Sequence, residues 1–252
     1  MKRLEGRVAV VTGGSRGIGA AIAGALVEEG ARVVISGRTA ETLEQTAKEI
    51  GATPVVADAT DAQSARAPVR HAIDELGGID ILVNNVGGAR GGNPDIFKGE
   101  DSAFEETLVI NLTSAFWTTR EAAPSMRDRG YGRIINIGSG ASRRAAASPG
   151  YTASKHGLVG LTKQLAQDLA PHGITVNCLC PGWTNTDLVD FAAIAKRSGI
   201  DPAEAQASAE SESAQRRILE PGELGPMAVL LASPEGAPIT GQTIGVDGGY
   251  RL

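Results

Sequence analysis

The sequence predicts an α/β fold, a doubly wound parallel sheet of about seven strands with helices on both faces, as a single domain over residues 1–252. Short β-branched runs alternate with longer helical patterns along the whole chain, which is typical of βαβ units with right-handed crossovers. The strand candidates are continuously apolar, as expected when helices cover both faces of a sheet. No internal repeat or clear linker divides the chain, and its length suits one sizeable core.

The predicted elements follow one another in regular order. Seven strands are expected, at Val8–Val11, Arg32–Ile35, Thr53–Val56, Ile79–Val83, Arg133–Ile137, Thr175–Cys180 and Thr243–Val246. Helical patterns lie between them, at Gly17–Glu29, Ala40–Ile50, Asp61–Leu76, Ser102–Arg129, Tyr151–Ala170 and Pro221–Ala232.

Two segments break this rhythm. Residues 87–100 are rich in Gly, Asn and Pro, and residues 187–219 form a long excursion rich in Ala, Ser and Glu. We expect the excursion to be helical and mobile. Long excursions in compact domains are often lids or binding loops, and a disordered surface flap is the alternative. We therefore expect these two segments to form the mouth of a substrate site.

Composition and charge narrow the function classes. Apolar residues make up 42% and charged residues 21% of the chain, and the net charge of −5 gives no general attraction to nucleic acid or anionic membranes. The apolar run Val8–Val11 is too short for a signal peptide, and no stretch approaches the length of a membrane span. Cys178 and Cys180 are expected to be buried reduced thiols, which favours a cytoplasmic location, and nothing calls for a metal.

A glycine-rich turn joins the first predicted strand to the first predicted helix. Glycines let a backbone approach a pyrophosphate closely, and the unpaired N–H groups at the start of a helix face the anion. Tight turns need glycine for other reasons too, so it is the position between strand and helix that favours a dinucleotide site. The residues predicted to line this phosphate site are Gly13, Ser15, Arg16, Gly17, Ile18 and Gly19.

A tyrosine and a lysine four positions apart, Tyr151 and Lys155, lie in a predicted helix. This spacing places the two side chains one above the other on one helix face. A phenol is a poor acid–base catalyst at neutral pH, but a nearby ammonium group favours its ionised form. Ser139, twelve residues upstream, could hold a carbonyl or hydroxyl oxygen beside the phenol. Pairs of this kind are more often ordinary surface neighbours, so other motifs must decide.

Several motifs resemble the short-chain dehydrogenase/reductase family, in the family's order, over nearly the whole chain. The glycine turn has the spacing G-x-x-x-G-x-G, and the Asn84-Asn85-Val86-Gly87 segment is similar to an Asn-Asn-Ala-Gly motif. Asn111 matches a helical asparagine of the family's catalytic group, and Ser139 follows a strand like the one that presents the catalytic serine. The pair Tyr151 and Lys155 matches the family's Tyr-x-x-x-Lys motif. The loop from Pro181 to Thr186 resembles one that contacts the nicotinamide.

The resemblance implies a Rossmann-type oxidoreductase that interconverts a ketone and a secondary alcohol by hydride transfer. Tyr151 would exchange a proton with the substrate oxygen, and Lys155 would also hydrogen-bond the nicotinamide ribose. Asn111 would otherwise be a satisfied core amide, but the resemblance places it in a proton relay through water. The implied catalytic residues are Asn111, Ser139, Tyr151 and Lys155. The further implied cofactor contacts are Asp58, Ala59, Asn85, Gly87, Tyr151, Lys155, Pro181, Gly182, Thr184 and Thr186.

Charge at the end of the second strand predicts the form of the cofactor. An NAD site usually has an acidic residue there to bind the ribose hydroxyls. This strand instead runs into Gly37 and Arg38, and Arg16 lies in the glycine turn. Two guanidinium groups suit a 2′-phosphate, so NADP(H) is the expected cofactor, although either arginine could be a solvated surface charge. The resemblance implies that Asp58 lies at the adenine, and a role as an N-cap or turn aspartate is the alternative.

The substrate is not predicted beyond a small carbonyl or alcohol compound. A 3-oxoacyl-acyl-carrier-protein reductase is the alternative, but residues 88–93 do not resemble that subgroup, and His172 replaces a basic residue that helps to dock the carrier. A non-catalytic NADP-sensing or scaffold protein is a lower-ranked alternative, since such relatives commonly lose the tyrosine or the lysine. The resemblance also implies a homotetramer assembled through the helices predicted at 102–129 and 151–170.

Overall fold

The computed structural model describes residues 2–88, 96–146 and 148–252. Seven strands form one parallel sheet in the order β3-β2-β1-β4-β5-β6-β7. The predicted α/β class and doubly wound sheet are confirmed. The strands are β1 (Val8–Val11), β2 (Arg32–Gly37), β3 (Thr53–Val56), β4 (Ile81–Asn84), β5 (Gly132–Ile137), β6 (Ile174–Pro181) and β7 (Thr243–Val246). The strand order reverses beside β1, and such a reversal leaves a crevice at the carboxyl ends of the strands.

Helices cover both faces of the sheet. Along β1, Val8 and Val10 join one apolar cluster while Ala9 and Val11 join the other, because successive side chains of a strand point to opposite faces. Residues of α1, α2 and α9 complete one cluster, and residues of α3, α5 and α6 complete the other. The helices are α1 (Gly17–Glu28), α2 (Ala40–Ile50), α3 (Ala62–Leu76), α4 (Asp101–Leu108), α5 (Ser114–Asp128), α6 (Pro149–Leu169), α7 (Phe191–Ser198), α8 (Pro202–Ser211) and α9 (Gly225–Ala232).

The helix predicted over 102–129 is not one continuous α-helix. A π-helical turn at Val109–Thr113 separates α4 from α5. The side chain of Asn111, within this turn, donates to the carbonyl oxygen of Thr107 at 2.8 Å and reaches the backbone of Gly88. Isolated π turns occur frequently at functional sites. A continuous helix was therefore the wrong prediction at this position.

The excursion predicted at 187–219 contains two helices, α7 and α8. Each begins at an aspartate whose side chain accepts a backbone N–H, Asp190 from Ala193 at 2.9 Å and Asp201 from Ala203 at 2.8 Å. Such caps satisfy N–H groups that the first turn of a helix leaves unpaired. The predicted helical character of the excursion is confirmed.

Two further expectations need correction or fall outside the described residues. The fourth strand begins at Ile81 rather than Ile79, and the helix predicted from Pro221 begins with a 3₁₀ turn, so that α9 starts only at Gly225. Half of the predicted loop 87–100, residues 89–95, lies outside the described residues, and this half includes 89–93 of the stretch compared with carrier-protein reductases. Within the described parts of the chain, no helix is long and apolar enough to cross a membrane.

A charged cluster closes the end of the sheet opposite the crevice. Asp80, fully buried just before β4, accepts hydrogen bonds from Arg7 at 3.2 Å, from Arg129 at 3.2 Å and from the backbone N–H of Val8 at 2.9 Å. The guanidinium of Arg7 also lies 3.6 Å from the ring centroid of Tyr131. Because a buried charge is stable only when it is paired, Asp80 fixes the amino ends of these strands.

Candidate active site

The turn between β1 and α1 brings its backbone to the crevice. Gly13 and Gly17 have φ values of +66° and +56°, which favour glycine. A Cβ atom at Gly19 would lie only 2.3 Å from the carbonyl oxygen of Gly13, so α1 approaches the turn more closely than a side chain allows. Arg16 precedes α1 and makes no side-chain cap. The first N–H groups of α1 are therefore left for an anionic ligand.

Asn85, at the end of β4, holds this turn in place. Its side-chain amide donates to the carbonyl oxygens of Thr12 at 3.0 Å and Gly13 at 2.9 Å. In return, the hydroxyl oxygen of Thr12 accepts the backbone N–H of Asn85 at 3.1 Å. The Asn85 side chain thus connects two neighbouring parallel strands at the edge where a dinucleotide would lie.

Arg16, Arg38, Asp58 and Ala59 line one end of the cleft. Arg38 is exposed, and Arg16 forms an ion pair with Asp187 at 3.1 Å in which each side chain is 72% exposed. The carboxylate of Asp58 accepts hydrogen bonds from the backbone N–H and the hydroxyl of Thr60, at 2.9 and 2.8 Å. Asp58 therefore has a role in a turn in addition to its place at the cleft. The partner of Arg16, Asp187, was not predicted from the sequence.

Tyr151 and Lys155 lie on one face of α6, beside the end of β5. The Lys155 ammonium is buried, donates to the carbonyl oxygen of Ile137 at 2.8 Å, and lies 5.7 Å from the centroid of the Tyr151 ring. The Tyr151 side chain is half-buried and faces the cleft. The backbone carbonyl thus fixes the Lys155 amino group beside the Tyr151 ring at the cleft.

Ser139 follows β5 and starts a short 3₁₀ turn. Its hydroxyl oxygen accepts the backbone N–H of Ala141 at 3.1 Å, while its own N–H donates to the hydroxyl oxygen of Ser142 at 3.1 Å. These reciprocal bonds form a capping box that fixes the Ser139 side chain at the cleft. The hydroxyl proton of Ser139 stays available for donation to a ligand.

Two cysteines lie beneath this turn on β6. Cys178 and Cys180 are free, buried thiols with their sulfur atoms 3.8 Å apart, as predicted. A hydrogen bond from Cys178 lowers the pKa of Cys180, with burial opposing and further hydrogen bonds from Ser142 and Ser139 adding to the effect. The same contact raises the pKa of Cys178. Both thiols pack against the backbone of Gly138, where a Cβ atom would lie 2.6 Å from the Cys180 sulfur.

Asn111 is buried behind the cleft wall. Its side chain donates to the carbonyl oxygen of Gly88 at 2.8 Å and accepts the Gly88 N–H at 3.0 Å. A Cβ atom at Gly87 would lie 2.7 Å from Asn111 Oδ1 and 3.1 Å from Lys155 Nζ. The backbone after β4 therefore passes directly between Asn111 and Lys155, and only a glycine fits there.

One cleft of about 1140 Å³ contains most of the candidate residues. This volume exceeds that of a usual small-ligand pocket, so there is room for a dinucleotide together with a small substrate. Gly19 and Asn111 lie behind the wall. The candidates that line the cleft are Gly13, Ser15, Arg16, Gly17, Ile18, Arg38, Asp58, Ala59, Asn85, Gly87, Ser139, Tyr151, Lys155, Pro181, Gly182, Thr184 and Thr186.

Sequence reasoning missed a buried amide network beneath the site. Asn84 donates to the side-chain oxygen of Asn136 at 2.8 Å and accepts the hydroxyl of Thr118 at 2.6 Å. Asn136 in turn donates to the hydroxyl of Thr162 on α6 at 2.9 Å. The network joins β4, β5, α5 and α6, and fully paired networks of this kind rigidify a core. The two adjacent asparagines at the end of β4 were the available signal.

Sequence reasoning also missed three residues of the cleft wall, Trp183, Tyr250 and Arg251. The indole N–H of Trp183 donates to Glu212 at 2.8 Å, and Glu212 also pairs with Arg251. Burial raises the pKa of Tyr250, and the negative charge of Glu212 adds to the rise. The Tyr250 hydroxyl therefore stays protonated.

Comparison with known proteins identifies the family. A family model described as short chain dehydrogenase matches residues 7–196. The chain belongs to the short-chain dehydrogenase family. It is 37% identical to D-beta-hydroxybutyrate dehydrogenase of Cupriavidus necator, with 98% of each chain covered, and 35% identical to the 3-oxoacyl-[acyl-carrier-protein] reductase of Vibrio cholerae, with 99% of each covered. A crystal structure of actinorhodin polyketide ketoreductase with NADPH has a TM-score of 0.90 at 34% identity, covering 97% of each chain.

These relatives fix the reaction class of this short-chain dehydrogenase. It is an oxidoreductase acting on CH–OH or ketone groups, as the sequence predicted. The family uses nicotinamide cofactors, and the crevice with its glycine turn fits such a group, because the backbone leaves space and unpaired N–H groups where a pyrophosphate would bind.

Proposed function

We propose that this chain is an NADP(H)-dependent ketone reductase or secondary-alcohol dehydrogenase in which Tyr151 is the general acid and base. The observation that carries the proposal is the buried ammonium of Lys155, fixed 2.8 Å from the Ile137 carbonyl and beside the Tyr151 ring at the cleft. A positive charge has few other reasons to be buried next to a phenol that faces a cleft.

The glycine turn would hold the pyrophosphate of the cofactor, and Lys155 and the loop at Pro181–Gly182 would hold its nicotinamide riboside. When bound, the nicotinamide supplies or accepts the hydride. The Asn85 side chain keeps the turn in register with β4. Thr186 packs against the turn, since a Cβ atom at Gly17 would lie 3.2 Å from its Cγ2.

The chain's own residues would manage the substrate oxygen. The Ser139 hydroxyl donates a hydrogen bond to that oxygen, and the Tyr151 hydroxyl gives it a proton in the reduction. In the oxidation, the Tyr151 phenolate takes the proton of the alcohol. The Lys155 amino group, fixed beside the Tyr151 ring, would stabilise negative charge that develops on the substrate and phenolic oxygens in either direction. Asn111 fixes the Gly87–Gly88 backbone beside Lys155, and we propose that it orders a proton-relaying water there.

The test is Tyr151→Phe, which keeps the ring and removes the proton. We expect kcat/KM for the ketones of a test panel to fall by a factor that corresponds to several kcal/mol of lost transition-state stabilisation. The change in NADPH fluorescence on binding should be retained. Tyr131→Phe is a matched control, because the Tyr131 hydroxyl donates to Ala232 away from the cleft. Near-normal turnover by Tyr151→Phe rules out the mechanism. Absence of turnover by the wild-type protein, with cofactor bound, supports a non-catalytic role instead.

NADP(H) rather than NAD(H) is proposed because Arg16 and Arg38 flank the expected ribose site without a nearby acidic strand end. The ion pair of Arg16 with Asp187 is well exposed, and such pairs contribute little stability. The Arg16 guanidinium can therefore leave Asp187 and bind the 2′-phosphate at little energetic cost. We expect Arg38→Leu to raise KM for NADPH by roughly 10- to 100-fold, the loss of about 1.5–3 kcal/mol for a charged hydrogen bond, and to leave KM for NADH unchanged. Arg32→Leu, at the other end of β2, is the control. Equal changes for both cofactors contradict the assignment.

A 3-oxoacyl thioester belongs in the ketone panel, since the Vibrio cholerae relative is named as an acyl-carrier-protein reductase.

We also propose a homotetramer in the cytoplasm. Phe104 on α4 and Phe116 on α5 are 41% and 40% exposed, which suits a subunit interface on these helices, and two free buried thiols suit a reducing compartment. Light scattering during size-exclusion chromatography measures the assembly directly, and a monomer contradicts it.

A further inference from the structure

The part of the cleft wall that carries Trp183, Tyr250 and Arg251 is built from three segments that are far apart in the sequence. Trp183 follows β6, Glu212 follows α8, and Tyr250 and Arg251 follow β7. Glu212 connects them, because its carboxylate accepts the Trp183 indole N–H at 2.8 Å and pairs with the Arg251 guanidinium. Its backbone carbonyl also accepts the Arg251 N–H at 2.7 Å. Glu212 therefore fixes the Trp183 ring directly and holds Arg251, the residue next to Tyr250.

Tyr250 lies directly on the backbone next to the candidate catalytic serine. A Cβ atom at Gly140 would lie 2.4 Å from Tyr250 Cε1 and 2.7 Å from Cδ1, so the ring packs on the Gly140 Cα. Gly140 follows Ser139, and all three residues line the cleft. A substituent on a carbonyl group held by Ser139 and Tyr151 must pass beside the Tyr250 ring.

Trp183 forms a second aromatic part of the same wall. Its ring lies 6.2 Å from that of Phe191 on α7, at an interplanar angle of 41°. Val189 and Ile194 add aliphatic surface to the wall. The carboxylates near this wall already have partners: Asp187 pairs with Arg16, and Asp190 caps α7. The wall thus presents rings and aliphatic groups together with Arg251, whose guanidinium is paired with Glu212. The charged Arg197 of α7 also lines the cleft and is exposed.

Building on the function proposed above, we infer that Tyr250 and Trp183 are specificity-determining residues that select ketones carrying a planar apolar ring system next to the carbonyl group. A flat ring packs favourably against an aromatic side chain whose orientation is fixed in advance, because little further ordering is needed on binding. Glu212 is a positioning residue for both rings. A short aliphatic ketone covers neither ring and gains little from them.

The experiment compares 1-tetralone, a fused aryl ketone, with 2-butanone. The wild-type protein is expected to have a kcat/KM at least tenfold higher for 1-tetralone. Tyr250→Leu should lower that kcat/KM at least tenfold, mainly through KM, and leave the value for 2-butanone within threefold. Tyr250→Phe keeps the ring on Gly140 and should retain the preference. Trp183→Leu should act like Tyr250→Leu, and retained NADPH binding shows that each variant is folded.

A second readout does not depend on turnover. Binding of 1-tetralone to the NADPH complex of Tyr151→Phe is measured by tryptophan fluorescence, and adding Tyr250→Leu should weaken it at least tenfold. If the wild-type protein turns over neither ketone and yet Tyr250→Leu weakens tetralone binding, the proposed function is wrong, but the role of Tyr250 in binding planar rings is supported. Equal loss for both ketones in Tyr250→Leu, or unchanged tetralone binding, overturns the inference.

Discussion

Replacing Gly87 by alanine tests whether the backbone between Asn111 and Lys155 sets the catalytic geometry. The φ angle of Gly87 is not positive, so its backbone does not require glycine, and the effect of alanine comes from the added Cβ. That atom would lie 2.7 Å from Asn111 Oδ1, about 0.7 Å short of the 3.4 Å at which ordinary contacts begin. It would also lie 3.1 Å from Lys155 Nζ.

The Gly87–Gly88 backbone, the Asn111 side chain or the Lys155 side chain must therefore move by several tenths of an ångström. Misplacing a reacting group by about 1 Å costs on the order of 100-fold in rate, so a shift of about 0.3–0.7 Å predicts a roughly 5- to 25-fold loss of kcat. Overpacking of a buried site costs typically 1–3 kcal/mol of unfolding free energy. For a chain of this size we expect Tm to fall by about 2–10 °C.

Steady-state kinetics with a ketone and NADPH, together with calorimetric melting, measure both effects. Gly24→Ala is the matched control, because its Cβ would lie in α1 at an ordinary 3.8 Å from Ile50. That variant should retain activity and gain stability, since alanine favours a helix over glycine by about 1 kcal/mol. A Gly87→Ala protein with kcat within twofold of the wild type would refute the reasoning.

Two further predictions concern stability. Asp80→Asn removes the buried charge that pairs with Arg7 and Arg129, so we expect a loss of about 1.5–3 kcal/mol in unfolding free energy with normal kcat, because the cluster lies opposite the cleft; equal Tm values contradict this. Burial alone would raise the pKa of Glu212, but hydrogen bonds from Arg251 and Trp183 outweigh it and lower the pKa below its ordinary 4.5. The stabilisation is therefore complete above pH 4.5 and lost as the pH falls through the folded-state pKa, so the Tm difference between wild type and Glu212→Gln should be largest near neutral pH and shrink below about pH 4. A difference that grows on acidification contradicts this sign.

The sheet was readable from the sequence because its signals are local. Val8–Val11 and Thr53–Val56 have the predicted bounds, since each is a β-branched run ended by turn residues or a helix start. The predicted fourth strand started two residues early because Ile79 is apolar like the residues that follow Asp80. The N–H of Ile79 donates to the Ser125 hydroxyl rather than to a neighbouring strand, and the Asp80 carboxylate belongs to the charged cluster with Arg7 and Arg129.

The site was readable only in part. Tyr151 and Lys155 lie on one helix, so their four-residue spacing directly predicts that their side chains share one face. Two contacts join residues more than 100 positions apart, the ion pair of Arg16 with Asp187 and the packing of Tyr250 on Gly140. No local sequence pattern predicts such contacts. In the sequence, Glu212 is one acidic residue among several in the excursion, because its partners, Trp183 and Arg251, come from other segments.

The π-helical turn at Val109–Thr113 has a consequence for the rotational phase of the helices around it. A π turn contains one residue more than an α-helical turn, so everything after it is rotated by about 100° relative to a continuous helix. The buried face of α5, which includes Ala115, Ala122 and Met126, faces the core only because of that rotation. Deleting a single residue from this turn would therefore swing the α5 face out of the core as well as displace Asn111, whereas an equal deletion in a surface loop would leave every helix in phase.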